Sequence, residues 1–402
     1  MPINPDRIFA DIDAIASFSE SPPDIGYSRP TFSPSWARAC DHVITQAESA
    51  GCKHRVDSAG NVHIRPASIG WDQKVWLSGS HLDSVPTGGK FDGVTGVVVP
   101  LELLRTHRDL PLELIIFAEE EGTTFGIGMI GSRLWTGELT AEKLEPFKNA
   151  AGQTYAEAGK PFGGEPDRWG SDGPSNYFGL IEVHIEQGPA LWAGNQPIAI
   201  VDAIAGRRQY RATFTGVPNH AGSTGMNHRS DALAAAADVI LHVEAVARHL
   251  SPQTVATVGR IFCEPNAVNV IPGKVTFTID FRSPVDALLT RGDAEIRRFM
   301  GRTVKARNVA DELVLTENQR AVAMDLNLVE KLMSAAPGVP VVASGALHDA
   351  AVMAPHIPTA MIFVASKDGI SHNPAEFSRI EDITAAAALL EKIVLGTQIS
   401  TA

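Results

Sequence analysis

Five short stretches carry side chains that could do chemistry together. Gly79-Ser80-His81-Leu82-Asp83 and Gly89-Lys90-Phe91-Asp92-Gly93 offer an imidazole and two carboxylates. Glu119-Glu120-Glu121-Gly122 offers three adjacent carboxylates, and His184 alternates with Glu182 and Glu186. His372 sits in Gly369-Ile370-Ser371-His372-Asn373-Pro374. Imidazole and carboxylate are hard-to-borderline ligands that suit Zn²⁺, with Mn²⁺ or Co²⁺ tolerated. Three imidazoles and several carboxylates suffice for a pair of ions ~3.5–4 Å apart that share a carboxylate and activate a water. The doublet Glu120-Glu121 then divides its work, one carboxylate binding metal and the other acting as general base. Taken singly, each stretch has a plainer reading as a polar turn, a solvated acidic turn or a packed strand histidine.

The elements that must position these groups can be read from the flanking residues. Apolar runs at 75–77, 112–118 and 358–364 read as buried strands, and 181–186 alternates as a strand does. Each candidate ligand therefore sits at or just beyond a strand end, where open α/β sheets place their ligands. The apolar run 94–104 reads as a helix leaving the Asp92 loop, and 5–17, 35–51, 324–335 and 380–395 read as further helices. Short strands are expected at 53–56 and 61–65 around an Ala59-Gly60-Asn61 turn. From Arg208 the texture changes. Residues 210–215 alternate, 231–247 form an Ala-rich helix, 254–262 and 274–281 alternate again, 286–300 read as a helix and 303–315 as a last strand. That β-α-β-β-α-β order is the ferredoxin-like pattern. The expected fold class is α/β, with residues 1–206 and 318–402 forming the metal-binding catalytic domain and 207–317 inserted as a second domain.

Composition narrows the function classes. The 402 residues are 44% hydrophobic, with a formal charge of −12. An acidic chain without a basic patch argues against nucleic-acid binding, which needs Lys and Arg at the phosphates. Three cysteines form no CxxC pair and no disulfide framework, which points to a reduced, cytoplasmic setting. Residues 1–20 show no basic region followed by an apolar core, and no apolar stretch reaches the ~20 residues of a membrane helix.

Seven strings then resemble a family. They are GSHLDSVPTGGKFDG (79–93), FAEEEGTTFG (117–126), EVHIEQGP (182–189), GVPNHAGSTGM (216–226), AVNVIPGKV (267–275), DFRSP (280–284) and DGISHNPAE (368–376). The chain resembles the M20 metallopeptidase clan, and within it the hydantoinase/carbamoylase branch. That branch includes N-carbamoyl-L-amino-acid hydrolases, allantoate amidohydrolases and β-ureidopropionases. The resemblance implies a dinuclear, aminopeptidase-like catalytic domain with an inserted dimerisation and lid domain. His81 and His184 would bind one metal, Glu121 and His372 the other, and Asp92 would bridge them. Glu120 would be the general base, and Asp83 would orient the His81 imidazole from behind. Glu119 would lie at the surface or behind the ligands. In the second domain His220 would stabilise the oxyanion in the partner subunit of a homodimer. Asn269 and Arg282 would grip the substrate carboxylate, Gln187 would contact the ureido group, and Gly345 would lie near the bound substrate.

The implied reaction is hydrolysis of the linear C–N amide of a small N-carbamoyl L-amino acid, yielding ammonia, carbon dioxide and the amino acid. Allantoate, a β-ureido acid or an N-acyl amino acid are alternatives. A metal-binding protein without catalysis would have no need of Glu120. Three departures touch the pocket: Leu347 and Gly225 stand where the family commonly has Gly and Pro, and Arg207 where it commonly has Gln. Leu347 would narrow the pocket, and Arg207 is expected to face water.

Overall fold

The computed structural model describes residues 2–396. The chain divides into two compact units. The first comprises residues 1–202, 324–342 and 347–402, and the second 203–323 and 343–346.

The first unit is built on a sheet of β1 (Cys52–Val56), β2 (Val62–Pro66), β3 (Val75–His81), β4 (Leu112–Phe117), β5 (Tyr177–Ile185) and β6 (Ile198–Ile204). A late strand, Thr359–Val364, inserts between β5 and β6, so that the order runs β1-β2-β4-β3-β5-(Thr359–Val364)-β6. The four central strands, β4, β3, β5 and Thr359–Val364, are parallel. β1, β2 and β6 join antiparallel, so the sheet is mixed. Every residue of β3, β4 and Thr359–Val364 is buried, as expected of strands covered on both faces. Because the central strands are parallel, their C-terminal ends share one rim. That rim receives His81, the 119–121 loop, His184 and the 366–376 loop.

The helix Val94–Thr106 lies against β3 and is buried on nearly every side, which explains its continuous apolar sequence. Helices Pro5–Ser17, Pro34–Ser49 and Ile380–Leu395 pack over it. Two side chains set the first of these helix starts: Asn4 accepts from the amides of Asp6 and Arg7, and Pro5 opens the first turn. Gly93 is required where the helix begins. Its φ is +67°, and a Cβ there would sit 2.5 Å from the His81 carbonyl oxygen and 2.6 Å from the His81 ring.

A buried charge network crosses β2 and β4. The His63 ring places Nδ1 2.7 Å from Glu113 Oε1 and Nε2 3.1 Å from Asp57 Oδ2. With a carboxylate at each nitrogen, the ring carries both protons. Burial opposes that charge, but Asp57 and Glu113 lift the pKa to about 9. Arg65 pairs with the other oxygen of Glu113, and Tyr177 Oη donates to Glu113 over 2.7 Å. Asp57 also accepts from the Asn61 side chain (2.8 Å), whose Oδ1 in turn accepts the Ala118 amide (3.0 Å). The network thus ends one residue before the acidic loop.

The second unit is a five-stranded antiparallel sheet of β7 (Gly206–Thr215), β9 (Val255–Thr257), β10 (Ile261–Glu264), β12 (Lys274–Ser283) and β13 (Ala310–Gln319). Between them come the two-residue strands β8 (Asn219–His220) and β11 (Val270–Ile271), which pair with each other. The order β10-β12-β7-β13, with β9 also on β12, is that of a ferredoxin-like sheet. Tyr210, Phe214, Phe277, Ile279 and Phe281 meet the Ala-rich helix Ala232–Leu250 and the helix Asp286–Arg307 in one core. Each fully buried Phe or Ile there contributes roughly 1.5–3 kcal/mol. Two expectations are corrected. The strand expected at 254–262 breaks between β9 and β10, around Gly259. The strand expected at 303–315 starts later, because the helix runs on to Arg307 and ends on Asn308 in the left-handed conformation (φ 50°).

Candidate metal centre

The rim of the first unit brings together the side chains that the sequence left scattered. His81 closes β3, and its Nδ1 donates to the carbonyl of Asp83 at 2.9 Å. His184, near the end of β5, donates Nδ1–H to the Ile185 carbonyl at 2.9 Å. In the neutral rings both Nε2 atoms are therefore bare lone pairs. Both point at one carboxylate oxygen: Asp92 Oδ1 lies 3.1 Å from His184 Nε2 and 3.8 Å from His81 Nε2. The second oxygen, Asp92 Oδ2, lies 3.1 Å from His372 Nε2, which is itself 3.7 Å from Glu121 Oε2. Two groups result, His81–Asp92–His184 and Asp92–Glu121–His372, each with its ligand atoms within 4.8 Å of one another. Glu120 lies half-buried beside the first, with Oε2 3.8 Å from His81 Nε2.

These residues fit a bound cation. His184 Nε2 and Glu121 Oε1 are buried and make no hydrogen bond. Lone pairs thus face lone pairs across the space between Asp92 and its neighbours, and a divalent ion satisfies both sides. The charge balance points the same way. Burial, followed by repulsion from Glu121, Asp349, Asp83 and Asp92, holds the Glu120 carboxyl well above its ordinary range. Burial and Asp92 push Glu121 up to about 8. Asp92 goes the opposite way: burial raises it, but before an ion binds the protonated rings of His184 and His372, both lifted to about 9, outweigh this and hold it well below the usual carboxylate range, a positive charge that a bound cation would replace. An acidic, water-poor rim of this kind favours a cation strongly.

Two supporting carboxylates hold the acidic loop. The Asp83 carboxylate stands 3.8 Å from His81 Nδ1, while the Asp83 backbone carbonyl takes that ring's hydrogen bond; the carboxylate does a second job. It accepts the amides of Glu120 (3.3 Å) and Glu121 (3.1 Å), and so fixes the acidic loop. Glu119 is fully buried, the second of the two places expected for it, and it accepts the amides of Thr124 (2.8 Å) and Phe125 (2.9 Å). Three loop residues take φ near +55°, costly for residues other than glycine: Glu119, Gln187 and His372. Such strain collects where a loop must aim a side chain.

Gln187 reaches the same rim. Its Nε2 donates to Asp92 Oδ2 (3.0 Å) and Ser371 Oγ (3.2 Å), while its Oε1 is buried without a partner. Glu182 accepts from Ser80 Oγ and the Ala350 amide, and its neighbours His184 and His348 pack with their rings tilted at 58°, 4.3 Å between centroids. Sequence reading gave no role to Glu182, His348, Asp349 or Glu376, all of them buried. Glu376 lay inside the 368–376 string, which was the one available signal.

The remaining candidates belong to the second unit. His220 and Asn269 are neighbours there, since β8 pairs with β11 and the Ala221 amide donates to the Asn269 carbonyl. His220 Nδ1 accepts the amides of Gly222 (3.0 Å) and Ser223 (3.1 Å). The ring proton is thereby assigned to Nε2, leaving an N–H donor on an exposed side chain. Arg282 is held by Asp280, with Nε to Oδ1 at 2.8 Å, and donates Nη1–H to the Gly345 carbonyl at 3.0 Å. Arg207 pairs with Glu317 instead of standing free in water.

Comparison with known proteins decides the family. Residues 77–396 match the model of peptidase family M20/M25/M40. The chain is 37% identical over 386 residues to N-carbamoyl-L-amino acid amidohydrolase of Geobacillus stearothermophilus, covering 92% of each chain. It belongs to the M20 family, in the hydantoinase/carbamoylase branch. Allantoate amidohydrolase of Escherichia coli (strain K12) is another M20 relative, 33% identical with 92% of each chain covered. A solved amidase of the hydantoinase/carbamoylase family from Burkholderia multivorans superimposes with a TM-score of 0.91 at 35% identity, covering 98% of each chain. Membership of M20 makes this chain a metal-dependent hydrolase.

Proposed function

We propose that the protein hydrolyses the linear C–N amide of an N-carbamoyl (ureido) L-amino acid, giving the amino acid, ammonia and carbon dioxide. One observation carries this reading: two groups of ligands share Asp92, with the half-buried Glu120 beside them. The name of the Geobacillus relative supports the substrate class. Two divalent ions would be held, one by His81, Asp92 and His184 and the other by Asp92, Glu121 and His372. The donor set suits zinc, and manganese or cobalt as well. When bound, such ions supply Lewis-acid polarisation and lower the pKa of water.

The chain's own residues do the rest. Glu120 takes a proton from the attacking water and returns it to the leaving nitrogen. The unpartnered Oε1 of Gln187 accepts from a ureido N–H. His220 offers Nε2–H to the oxygen that gains charge, an interaction worth most when the donor is already oriented. Asp280 presents Arg282 as a rigid fork for the substrate carboxylate, with Asn269 as a second donor and Gly345 beside the guanidinium.

The protein works in this reading as a cytoplasmic homodimer. Its cysteines are free. β10 is an edge strand with Ile261 and Phe262 exposed, and Leu241 on the nearby helix is 70% exposed. Among the described residues no helix is long and apolar enough to cross a membrane. A second reading, hydrolysis of allantoate, is favoured by the comparable identity of the Escherichia coli relative. Ammonia release from a panel of N-carbamoyl-L-amino acids, allantoate, β-ureidopropionate and N-acyl amino acids decides between them. Activity should vanish on chelation and return with Zn²⁺, Mn²⁺ or Co²⁺. Preference for carboxylate-free ureas or peptides would overturn the carbamoyl assignment, and metal-free protein of full activity would overturn the metal.

A further inference from the structure

The Glu376 carboxylate hydrogen-bonds no ligand side chain, yet it binds the backbone of one ligand and the neighbour of another. Its carboxylate is 4% exposed. Oε1 accepts the amides of Phe91 (2.8 Å) and Asp92 (3.0 Å), and Oε2 accepts Ser371 Oγ (2.9 Å). Ser371 precedes His372, and its hydroxyl also lies 3.4 Å from Asp92 Oδ2 and receives Gln187 Nε2. The fit is close on the other side as well. A Cβ on Gly89 would lie 2.2 Å from Glu376 Oε1 and 2.4 Å from Glu376 Cβ, so only glycine leaves room for this carboxylate. The loop after β3 and the loop after Thr359–Val364 are separated by β5 in the sheet. The two strands share no ladder, so side chains must join the loops: Glu376 binds backbone amides of one and Ser371 of the other, beside Gln187 Nε2, which bridges Asp92 and Ser371, and the edge contact of Phe91 with Phe377.

We propose that Glu376 is a positioning residue of the metal centre. It clasps the Asp92 loop to the His372 loop and so sets the shared carboxylate and the third imidazole at their mutual spacing before an ion arrives. The inference rests on the two-ion reading given above. It follows that the His372-containing group depends on Glu376 more than the His81–Asp92–His184 group does. The latter draws its two imidazoles from β3 and β5, which are paired directly. The former needs the late loop held in place.

The test is metal binding by titration calorimetry and elemental analysis on full-length protein, with Zn²⁺ and Mn²⁺ as probes. Wild type should take up two ions. If it does not, the two-ion reading fails and not this inference alone. Glu376→Ala should keep one ion near wild-type affinity and bind the other ~10–100-fold more weakly, the usual effect of removing a group that orients a ligand. Glu376→Gln keeps an acceptor for the Phe91 and Asp92 amides and should restore most of the lost affinity. Glu376→Asp, a carbon shorter, cannot span both loops and should behave like the alanine variant, which keeps the test open if alanine does not fold. Thermal melting in chelator should separate the variants far less than melting in metal. Two ions at wild-type affinity in a folded Glu376→Ala or Glu376→Asp protein would refute the clasp. So would equal weakening of both ions in every variant, Gln included, since that describes general loosening.

Discussion

Replacing His63 by glutamine should remove a pH dependence of stability that the fold builds into a buried charge cluster containing no metal ligand. The folded protein holds this ring as an imidazolium, with a pKa of about 9 against an ordinary 6.5. That difference corresponds to ~3 kcal/mol at about 1.4 kcal/mol per pKa unit. The folded form binds the proton more tightly, so the stabilisation is complete below pH 6.5 and is lost as pH rises through about 9. Glu113 gives the acid limb. Burial opposes its charge, but His63 first, and Arg65 with Tyr177, hold it down to about 2 from 4.5. Its contribution is present above pH 4.5 and lost as pH falls through about 2. Both figures describe one contact and are not summed. Stability should therefore be level between pH 4.5 and 6.5 as far as this cluster is concerned. Asp57, Glu113, Arg65, Tyr177 and the Trp135 ring are the groups that face or adjoin His63, and none is a metal ligand. The assay is urea unfolding of metal-loaded protein at about pH 6 and about pH 9.5, where wild type should lose ~3 kcal/mol more than His63→Gln. The variant should already be weaker at the lower pH by ~3–5 kcal/mol, because Glu113 and Asp57 lose their buried cation. An alkaline loss of equal size in both proteins would refute the reasoning.

Other outcomes are expected at the centre itself. Glu120→Gln should lower kcat at least ~10²-fold with metal content unchanged, measured by ammonia release alongside elemental analysis; a near-normal rate would move the base elsewhere. His220→Ala and Glu120→Gln subunits, each inactive alone, should recover activity approaching half that of wild type per mixed dimer after exchange, because one site then carries neither defect. No recovery despite proven exchange would place His220 outside the partner's chemistry. Arg282→Ala should raise KM and lower kcat together for a carboxylate-bearing substrate while leaving carboxylate-free analogues nearly unaffected, a split that steady-state kinetics reads directly.

The ligand strands were legible because buried parallel strands are short, continuous apolar runs, and chemistry at their ends interrupts that texture abruptly. His81, Glu120 and His372 each follow such a run. The helix Pro5–Ser17 was legible for the complementary reason, a clean helical spacing of Ile8, Ile12 and Ile15, all buried. What stayed hidden was a matter of partners. Asp83 next to His81 suggested an imidazole contact, but its carboxylate serves amides 37 and 38 residues away. Glu119 looked like a solvated charge because its burial depends on the Thr124 and Phe125 amides curling back over it. Glu376 acts on residues 284 and 285 positions earlier, a pairing no local pattern encodes. The end of the helix at Arg307 was missed because Thr303 and Val304 favour strand, and tertiary packing of Met300 and Thr303 overrode them.

The place of Thr359–Val364 in the sheet has a consequence for how the protein is made. This strand fills a gap between two neighbours synthesised much earlier, β5 and β6. Until the ribosome has delivered it, both neighbours present bare hydrogen-bonding edges on a largely apolar surface, the kind of intermediate that sticks to other chains. His372 and Glu376 follow later still. A nascent chain stalled before residue 359 could hold Asp92 beside His81 and His184, but it would have an open sheet and no partner for Glu121. Completion of the barrier between folding and misfolding, and completion of the second ligand group, therefore await the same few residues emerging from the exit tunnel.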